Sequence, residues 1–273
     1  MKKLCIYHGN CADGFTAAWV VRKAFGDDVE FHAGVYGQPL PDGVDGRDVI
    51  IVDFSYKRMT MEYLISSAKS VLILDHHKTA QEDLANLCSA EVVFDMNRSG
   101  ARIAWDYFFP DIEPPKLLLH IEDRDLWRFD LMFTREINAN VFSYPYQFEV
   151  WDQLMAQDIS LAIMSGTAIE RKHFKDIAEL LALMTRTLTI GGHKVKAANL
   201  PYVYSSDAAH TLAQGMPFGA CYWDVPDGRV FSLRSTDAGM DVSVVAASYG
   251  GGGHRNAAGF RVTFEQARAM ELT

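Results

Sequence analysis

The chain has 273 residues, of which 49% are apolar, and its formal net charge is −9. No apolar run is long enough to cross a bilayer, and the one near the N-terminus is too short for a signal-peptide core, so we expect a cytoplasmic protein with no membrane partner. Residues 188–273 hold 7 Lys+Arg and 7 Asp+Glu, whereas the rest of the chain holds 19 and 28. This balance excludes the basic surface of a protein that tracks long nucleic acid, but it allows a small phosphorylated ligand.

The first half of the chain alternates apolar runs with helical patterns. Strands are predicted at residues 4–7, 29–33, 48–52, 71–74 and 91–94. Helices are predicted at residues 13–25, 57–69, 79–87 and 99–109, and another begins at Pro114-Pro115. Strands that alternate with helices indicate a mostly parallel sheet covered on both faces, so this half is predicted to be an α/β domain.

The second half has a different pattern. Residues 148–187 are predicted to be helical, with no strand signal. They are followed by strands at 194–198, 219–224 and 230–234 and helices at 206–214 and 241–249. We therefore expect three parts: an α/β domain at residues 1–150, a helical connector at 151–187 and a smaller α+β domain at 188–273.

The 4 cysteines are widely spread, and none forms a CxxC pair; they are Cys5, Cys11, Cys88 and Cys221. In a chain of this length and class, this predicts reduced and mostly buried thiols, not a disulfide framework or a zinc site.

Three polar segments follow predicted strands. They are His8 to Gly14, Asp53 with the two residues after it, and Asp75-His76-His77. Singly, Asp13 is explained as a helix cap, Asp53 as a turn residue and the histidines as a surface pair. Together they predict a ligand site, because the carboxyl ends of parallel strands meet at one sheet edge. Carboxylates and imidazoles without a thiolate cluster suit Mn²⁺, Mg²⁺ or Fe²⁺ better than structural zinc.

A fourth segment, residues 250–259, contains four consecutive glycines followed by His254-Arg255-Asn256. Glycines let backbone amides approach an anion closely, and the charged side chains add hydrogen-bond donors. A glycine run alone is also typical of a flexible loop, but with these three residues it favours a phosphate or nucleotide site.

With these four segments in order, the sequence resembles the DHH phosphoesterases that carry a family-associated C-terminal domain with a GGGH signature. Asp75-His76-His77 resembles the motif that names the family, and the other three segments resemble its remaining signatures over nearly the whole chain. The resemblance implies a parallel-sheet catalytic domain and a smaller α+β domain, with the active site in the cleft between them.

The resemblance also implies roles for particular residues. Two divalent metals, Mn²⁺ first and Mg²⁺ second, would be held by His8, Asp13, Asp53, His76 and Asp123, with Asp125 as the alternative to Asp123. Asp53 would bridge the metals, Asp53, His76 and His77 would form the catalytic group, and Asp75 would orient the histidines. Substrate contacts would come from His77, Arg98, Arg234, Ser235, Gly252, Gly253, His254 and Asn256.

The implied activity is hydrolysis of phosphodiester bonds in short oligonucleotides or cyclic dinucleotides by water activated at two metals, as in an exonuclease acting from the 3′ end. A phosphomonoesterase for bisphosphorylated nucleotides, a polyphosphatase and a nucleotide-sensing module without turnover are the alternatives. One departure stands out: family members carry two aspartates, one residue apart, in the first motif, and Cys11 takes the place of the first. Oligomeric state and base preference are left open.

Overall fold

The computed structural model describes residues 1–271, and the chain divides into two compact units, Met1–Glu170 and Arg171–Thr273. The division lies within the long helix α8, Ile159–Met184. None of the described helices combines the length and the apolar character needed to cross a bilayer.

The first unit is built on five strands: β1 Lys3–His8, β2 Val29–Gly34, β3 Asp48–Val52, β4 Ser70–Asp75 and β5 Glu91–Phe94. Its helices before α8 are α1 Ala12–Phe25, α2 Arg58–Ser67, α3 Lys78–Asp83, α4 Gly100–Phe108, α5 Lys116–Asp125, α6 Thr134–Val141 and α7 Phe148–Ala156. The strands are all parallel, in the order β2-β1-β3-β4-β5. The predicted α/β fold with a parallel sheet is therefore confirmed.

Helices cover both faces of this sheet because alternate residues of a strand point to opposite sides. In β3, Ile50 and Val52 pack into the core that contains Phe15 of α1, and Ile51 packs into the core that contains Met61 of α2. Burial on both faces explains why the inner strands β3 and β4 contain continuous apolar runs, whereas the edge strand β2 also contains Glu30 and His32.

The second unit is a six-stranded mixed sheet with helices. Its strands are β6 Thr185–Ile190, β7 His193–Asn199, β8 Gly219–Val225, β9 Gly228–Arg234, β10 Gly252–His254 and β11 Ala257–Val262. Its remaining helices are α9 Ser205–Leu212, α10 Val242–Ser248 and α11 Phe264–Glu271. The strand order is β10-β11-β9-β8-β7-β6, and only the described pair β7 and β8 is parallel. The expected smaller α+β unit is present.

Two strands depart from the sequence prediction. β6 begins at Thr185, inside the stretch predicted to be helical, and forms a hairpin with β7 through Gly191 and Gly192, both at positive φ. That two-residue turn matches the twist of an antiparallel pair. β10 lies in the glycine run, where residues without side chains give no strand signal.

Candidate metal centre

The predicted site lies at the carboxyl edge of the parallel sheet. The chain passes from β1 to β2 on one side of β1, and β3 then pairs with the other side. Such a reversal of strand order opens a crevice at the strand ends, where α/β proteins bind ligands. His8 ends β1, Asp53 directly follows β3, and Asp75 ends β4. The prediction that these segments meet at one edge is confirmed.

Asp53 occupies the centre of this edge. Its carboxylate is 1% exposed, and its two oxygens face two different imidazoles. Oδ2 lies 3.3 Å from Nδ1 of His8, and Oδ1 lies 3.0 Å from Nε2 of His76. Neither oxygen accepts a well-aligned hydrogen bond from the described residues. A buried carboxylate without well-aligned hydrogen-bond donors raises the free energy of the folded protein, so the arrangement favours a bound cation.

The backbone at Asp53 is in the left-handed region, with a φ of 53°. A non-glycine residue pays a conformational cost there, and such residues are concentrated at functional sites. This conformation turns the chain sharply where β3 ends.

A second group of ligands surrounds His76. Asp13 from the first turn of α1 and Asp125 from the end of α5 have carboxylate oxygens that lie, with a His76 ring nitrogen, within 4.8 Å of one another. Nε2 of His76 is 3.5 Å from Oδ2 of Asp125. The Asp13 carboxylate also accepts a hydrogen bond from the Ala101 amide at 3.2 Å, at the N-terminus of α4.

The structure places Asp125, and not Asp123, in this group. The Asp123 carboxylate accepts hydrogen bonds from the amides of Asp130 and Leu131, at 2.9 and 3.1 Å, and from the Thr134 hydroxyl at 2.5 Å. It therefore holds the turn that leads into α6. Because the two residues are separated by one position on α5, they point in different directions, and the preference for Asp123 is corrected to Asp125.

Asp75 orients His77. Its fully buried carboxylate accepts hydrogen bonds from the amides of His76 and His77 and from the Ser55 hydroxyl, at 2.7, 3.2 and 2.7 Å. Its Oδ1 lies 2.7 Å from Nδ1 of His77. Burial acts to raise the pKa of Asp75, but the nearby His77 more than offsets this and lowers it. The expected orienting role of Asp75 is present in the geometry.

The buried carboxylates of the centre favour a positive charge nearby. Burial, and then the charges of Asp125 and Asp53, raise the pKa of Asp13 well above its ordinary value. Burial also raises the pKa of Asp125. For His76, burial acts to lower the pKa, but the contact with Asp53 and the charge of Asp125 outweigh it and raise the pKa to about 10. Crowded carboxylates of this kind are relieved by a proton or by a metal ion.

Cys11 joins the centre on the side of His8. A sulfur, an imidazole nitrogen and a carboxylate oxygen of Cys11, His8 and Asp53 lie within 4.8 Å of one another. Burial, followed by the charges of Asp53, Asp125 and Asp13, raises the pKa of this thiol well above its ordinary value. The structure thus places the thiol that departs from the two-aspartate motif beside the other candidate ligands. Of the other cysteines, Cys5 and Cys221 are buried as expected, and Cys88 is exposed.

Arg98, predicted to contact a phosphate, has other partners. Its guanidinium donates hydrogen bonds to Asp95 at 2.7 Å and to Asp106 at 2.8 Å. A phosphate would have to compete with two carboxylates for this side chain, so the structure gives it a local structural role.

The substrate residues predicted in the second unit lie on neighbouring strands. His254 pairs with Ala257 across the β10–β11 hairpin, and Ala257 pairs with Arg234 at the end of β9. Ser235 follows Arg234, while Gly252 and Gly253 lie in β10 with His254. The structure thus brings Arg234, Ser235, Gly252, Gly253 and His254 to one region of the unit.

The last two glycines of the run, Gly252 and Gly253, lie in one strand of a hairpin and not in an open loop. A Cβ on Gly251 would lie 2.1 Å from the carbonyl oxygen of Gly259. Packing against β11 is therefore enough to explain a glycine at this position, without a bound phosphate. The Asn256 amide donates to Asp237 at 2.8 Å and accepts from the Ser235 hydroxyl at 3.2 Å. The predicted use of Asn256 to recognise a base is corrected to a role in holding this turn.

Comparison with known proteins identifies the fold. No protein-family model matches the chain. RecJ from Thermus thermophilus, solved in complex with Mn²⁺, aligns with 99% of this chain and 51% of its own, at 14% identity and a TM-score of 0.58. The DHH domain of a protein from a family of ribosomal proteins aligns with 98% of this chain and 84% of its own, at 12% identity and a TM-score of 0.58. This chain has the DHH-domain fold.

The DHH triplet of the sequence thus lies in a DHH-domain fold. Membership of the phosphoesterase family and the assignment of the C-terminal domain stay predictions. An uncharacterized protein of Acanthamoeba polyphaga mimivirus is 33% identical over 282 residues, covering 93% of this chain. The chain spans 66% of the length of that curated relative.

The residues of this metal centre fit divalent metals. The buried Asp53 oxygens lack well-aligned donors, and Asp13, His76 and Asp125 on one side and His8 and Cys11 on the other offer ligand atoms around them. Two aspects of the site were not found from the sequence. Asp125 was placed second to its neighbour, and the contribution of Gly100, described below, had no signal beyond a glycine at a helix start.

Proposed function

We propose that this chain is a metal-dependent phosphoesterase that hydrolyses phosphodiester bonds of short oligonucleotides or cyclic dinucleotides. The observation that carries the proposal is the position of Asp53, whose two oxygens face His8 and His76, 3.3 and 3.0 Å away. A carboxylate placed between two ligand groups is suited to bridge a pair of metals.

One position would be held by Asp13, His76 and Asp125, the other by His8 and Cys11, with Asp53 shared. Divalent metals bound there supply a water of lowered pKa and stabilise negative charge on phosphoryl oxygens. The protein fixes its ligands through the buried Asp75 and through α4, whose Ala101 amide donates to Asp13. Rigid placement of this kind removes the cost of reorganising the ligands during the reaction.

His77 is the side chain best placed to act beside the metals. It is 9% exposed, and its Nδ1 is held by Asp75. Burial acts to lower the pKa of His77, but the charge of Asp75 outweighs it and raises the pKa. An imidazole held in a fixed orientation can donate a hydrogen bond to a phosphoryl oxygen or to the leaving group.

The charge distribution supports a short substrate. The acidic excess of 28 Asp+Glu over 19 Lys+Arg belongs to residues 1–187, most of which form the unit that contains the metal centre. A long polyanion would meet repulsion away from the centre, whereas a dinucleotide is small enough to be held by the metals and a few donors.

The test is a hydrolysis panel with Mn²⁺ after removal of bound metal by chelation. It should contain a linear dinucleotide, a cyclic dinucleotide, a bisphosphorylated adenosine, inorganic polyphosphate and a longer single strand. We expect the dinucleotides to be hydrolysed fastest and the long strand slowly. Preference for the bisphosphate or polyphosphate would replace the proposed reaction by one of the alternatives. Tight nucleotide binding without turnover of any substrate would identify a sensing module.

A further inference from the structure

The two sides of the metal centre differ in their ligand chemistry. The side of His76 offers the carboxylates of Asp13 and Asp125, whereas the side of His8 offers the sulfur of Cys11. Carboxylates suit hard ions such as Mn²⁺ and Mg²⁺, and a thiolate with an imidazole suits Zn²⁺ or Co²⁺ better.

Three separate elements bring the second set together. His8 ends β1, Cys11 immediately precedes α1 and Asp53 follows β3. Cys11 has an extended backbone, with a φ of −126° and a ψ of 133°, and its side chain does not cap the helix that it precedes. The carbonyl of Cys11 accepts a hydrogen bond from the amide of Phe15 at 3.0 Å, which starts α1 through the backbone.

A second observation points to a ligand at this place. Asp53 is buried to 99%, and both its Oδ2 and the Nδ1 of His8 lack a well-aligned hydrogen bond from the described residues. These two atoms are 3.3 Å apart. Nitrogen and oxygen ligands on one tetrahedral Zn²⁺ are about 3.4 Å apart, given bond lengths of about 2.1 Å. The spacing is that of two ligands on a common ion.

We propose that His8, Cys11 and Asp53 form a thiolate–imidazole–carboxylate site that selects a borderline-soft divalent ion, such as Zn²⁺ or Co²⁺, over Mn²⁺, while the position of Asp13, His76 and Asp125 prefers Mn²⁺. The inference rests on the proposed function in assuming a two-metal centre, and it adds that the two positions take different metals. On binding, the metal–sulfur bond forms and the thiol proton is released to solvent.

The probe is Co²⁺, because a cobalt–thiolate bond gives an intense charge-transfer band in the near ultraviolet that nitrogen and oxygen ligands do not give. Metal-free protein is titrated with Co²⁺ alone and then after one equivalent of Mn²⁺. We expect the sulfur band in both titrations, since Mn²⁺ fills the other position. Zn²⁺ affinity is measured in parallel by competition with a chromophoric chelator.

Cys11→Ser should abolish the sulfur band and weaken Zn²⁺ binding at least tenfold, since even the loss of a supporting partner costs about 10–100-fold in metal affinity. Cys11→Asp should shift that position toward Mn²⁺. Cys88→Ser is the matched control, because this thiol is exposed and outside the cluster, and it should change neither readout. Melting temperatures of the variants check that each is folded.

The outcomes separate the two proposals. A wild-type Co²⁺ spectrum without a sulfur band, or a band unchanged by Cys11→Ser, would overturn the thiolate site while leaving Mn²⁺ binding and the proposed function intact. Failure of the wild type to bind either Mn²⁺ or Co²⁺ would overturn both.

Discussion

Gly100 packs directly against Asp53. A Cβ on Gly100 would lie 2.4 Å from Cβ of Asp53 and 3.0 Å from a carboxylate oxygen of Asp13. The first turn of α4 can approach the metal centre only because this residue has no side chain. The same approach brings the Ala101 amide to 3.2 Å from the Asp13 carboxylate.

Gly100→Ala should therefore damage the metal centre from outside the ligand set. The added methyl group must push α4 or Asp53 away, and overpacking of this kind costs about 1–3 kcal/mol. We expect a lower melting temperature and weaker Mn²⁺ binding in a calorimetric titration.

Gly192→Ala is the control for this variant. Nothing lies within 4 Å of the added Cβ, but the φ of 80° makes the substitution strained by about 1–2 kcal/mol. It should lower stability without changing Mn²⁺ affinity. Unaltered metal binding in Gly100→Ala would mean that α4 can move without moving Asp53 and Asp13.

Asp53→Asn should eliminate metal-dependent hydrolysis. The amide keeps the shape of the side chain, but it replaces one charged oxygen by an NH₂ group. The two metal positions would therefore lose the carboxylate that they share. We expect activity to fall at least about a thousandfold and the stabilisation of the folded protein by Mn²⁺, measured as a shift in melting temperature, to disappear.

Asp48→Asn is the matched control, since Asp48 begins the strand that Asp53 follows and lies at the opposite edge of the sheet. The hydrogen bond from Ser70 and the pairing with Lys69 lower the pKa of Asp48 to about 2, so this variant should lose some stability above pH 4 and keep its activity. Full activity in Asp53→Asn would contradict the two-metal reaction.

The sequence allowed the strands and the site edge to be predicted because buried parallel strands are apolar runs and the polar residues that end them stand out. The predicted bounds of β3 match the observed ones, and the sequence pattern places His8, Asp53 and His76 at the edge where the structure has them. The sequence does not predict which of Asp123 and Asp125 faces the metal centre, because this depends on the orientation of the end of α5. The contact between Gly100 and Asp53 was equally hidden, since it joins residues 47 positions apart through tertiary packing.

His254→Ala should reduce the use of nucleotides without loss of metal. The family resemblance assigns this residue to substrate binding, and in the structure it lies in β10, paired with Ala257. Contacts with the remote part of a substrate aid positioning, so kcat/KM for a dinucleotide should fall more than kcat/KM for a small activated phosphate ester. Metal content is measured on the same samples. A variant that lost Mn²⁺, or that slowed both substrates equally, would contradict a role in gripping the nucleotide.

Asp123→Asn and Asp125→Asn form a pair of variants that separates a structural carboxylate from a ligand. Asp123 accepts three hydrogen bonds, two from the turn before α6 and one from Thr134 at the start of α6, and its amide analogue can keep only part of them. We expect Asp123→Asn to lower the free energy of unfolding by about 1–3 kcal/mol in urea titrations, with nearly normal Mn²⁺ stoichiometry.

Asp125→Asn should behave in the opposite way. Its side chain is 25% exposed and faces His76 at 3.5 Å. Burial, together with the charge of Asp53, raises the pKa of Asp125 despite the attraction of His76, and burial, followed by the charge of Asp125, raises the pKa of Asp13. Removing its charge therefore relieves a net cost in the metal-free protein. Stability without metal should be unchanged or slightly higher, while Mn²⁺ affinity falls at least about tenfold. The difference between the two variants is the readout, because a general loss of folding would lower both quantities together. If Asp123→Asn lost the metal and Asp125→Asn kept it, the ligand at the end of α5 would be Asp123 after all, and the turn before α6 would have to rearrange on metal binding.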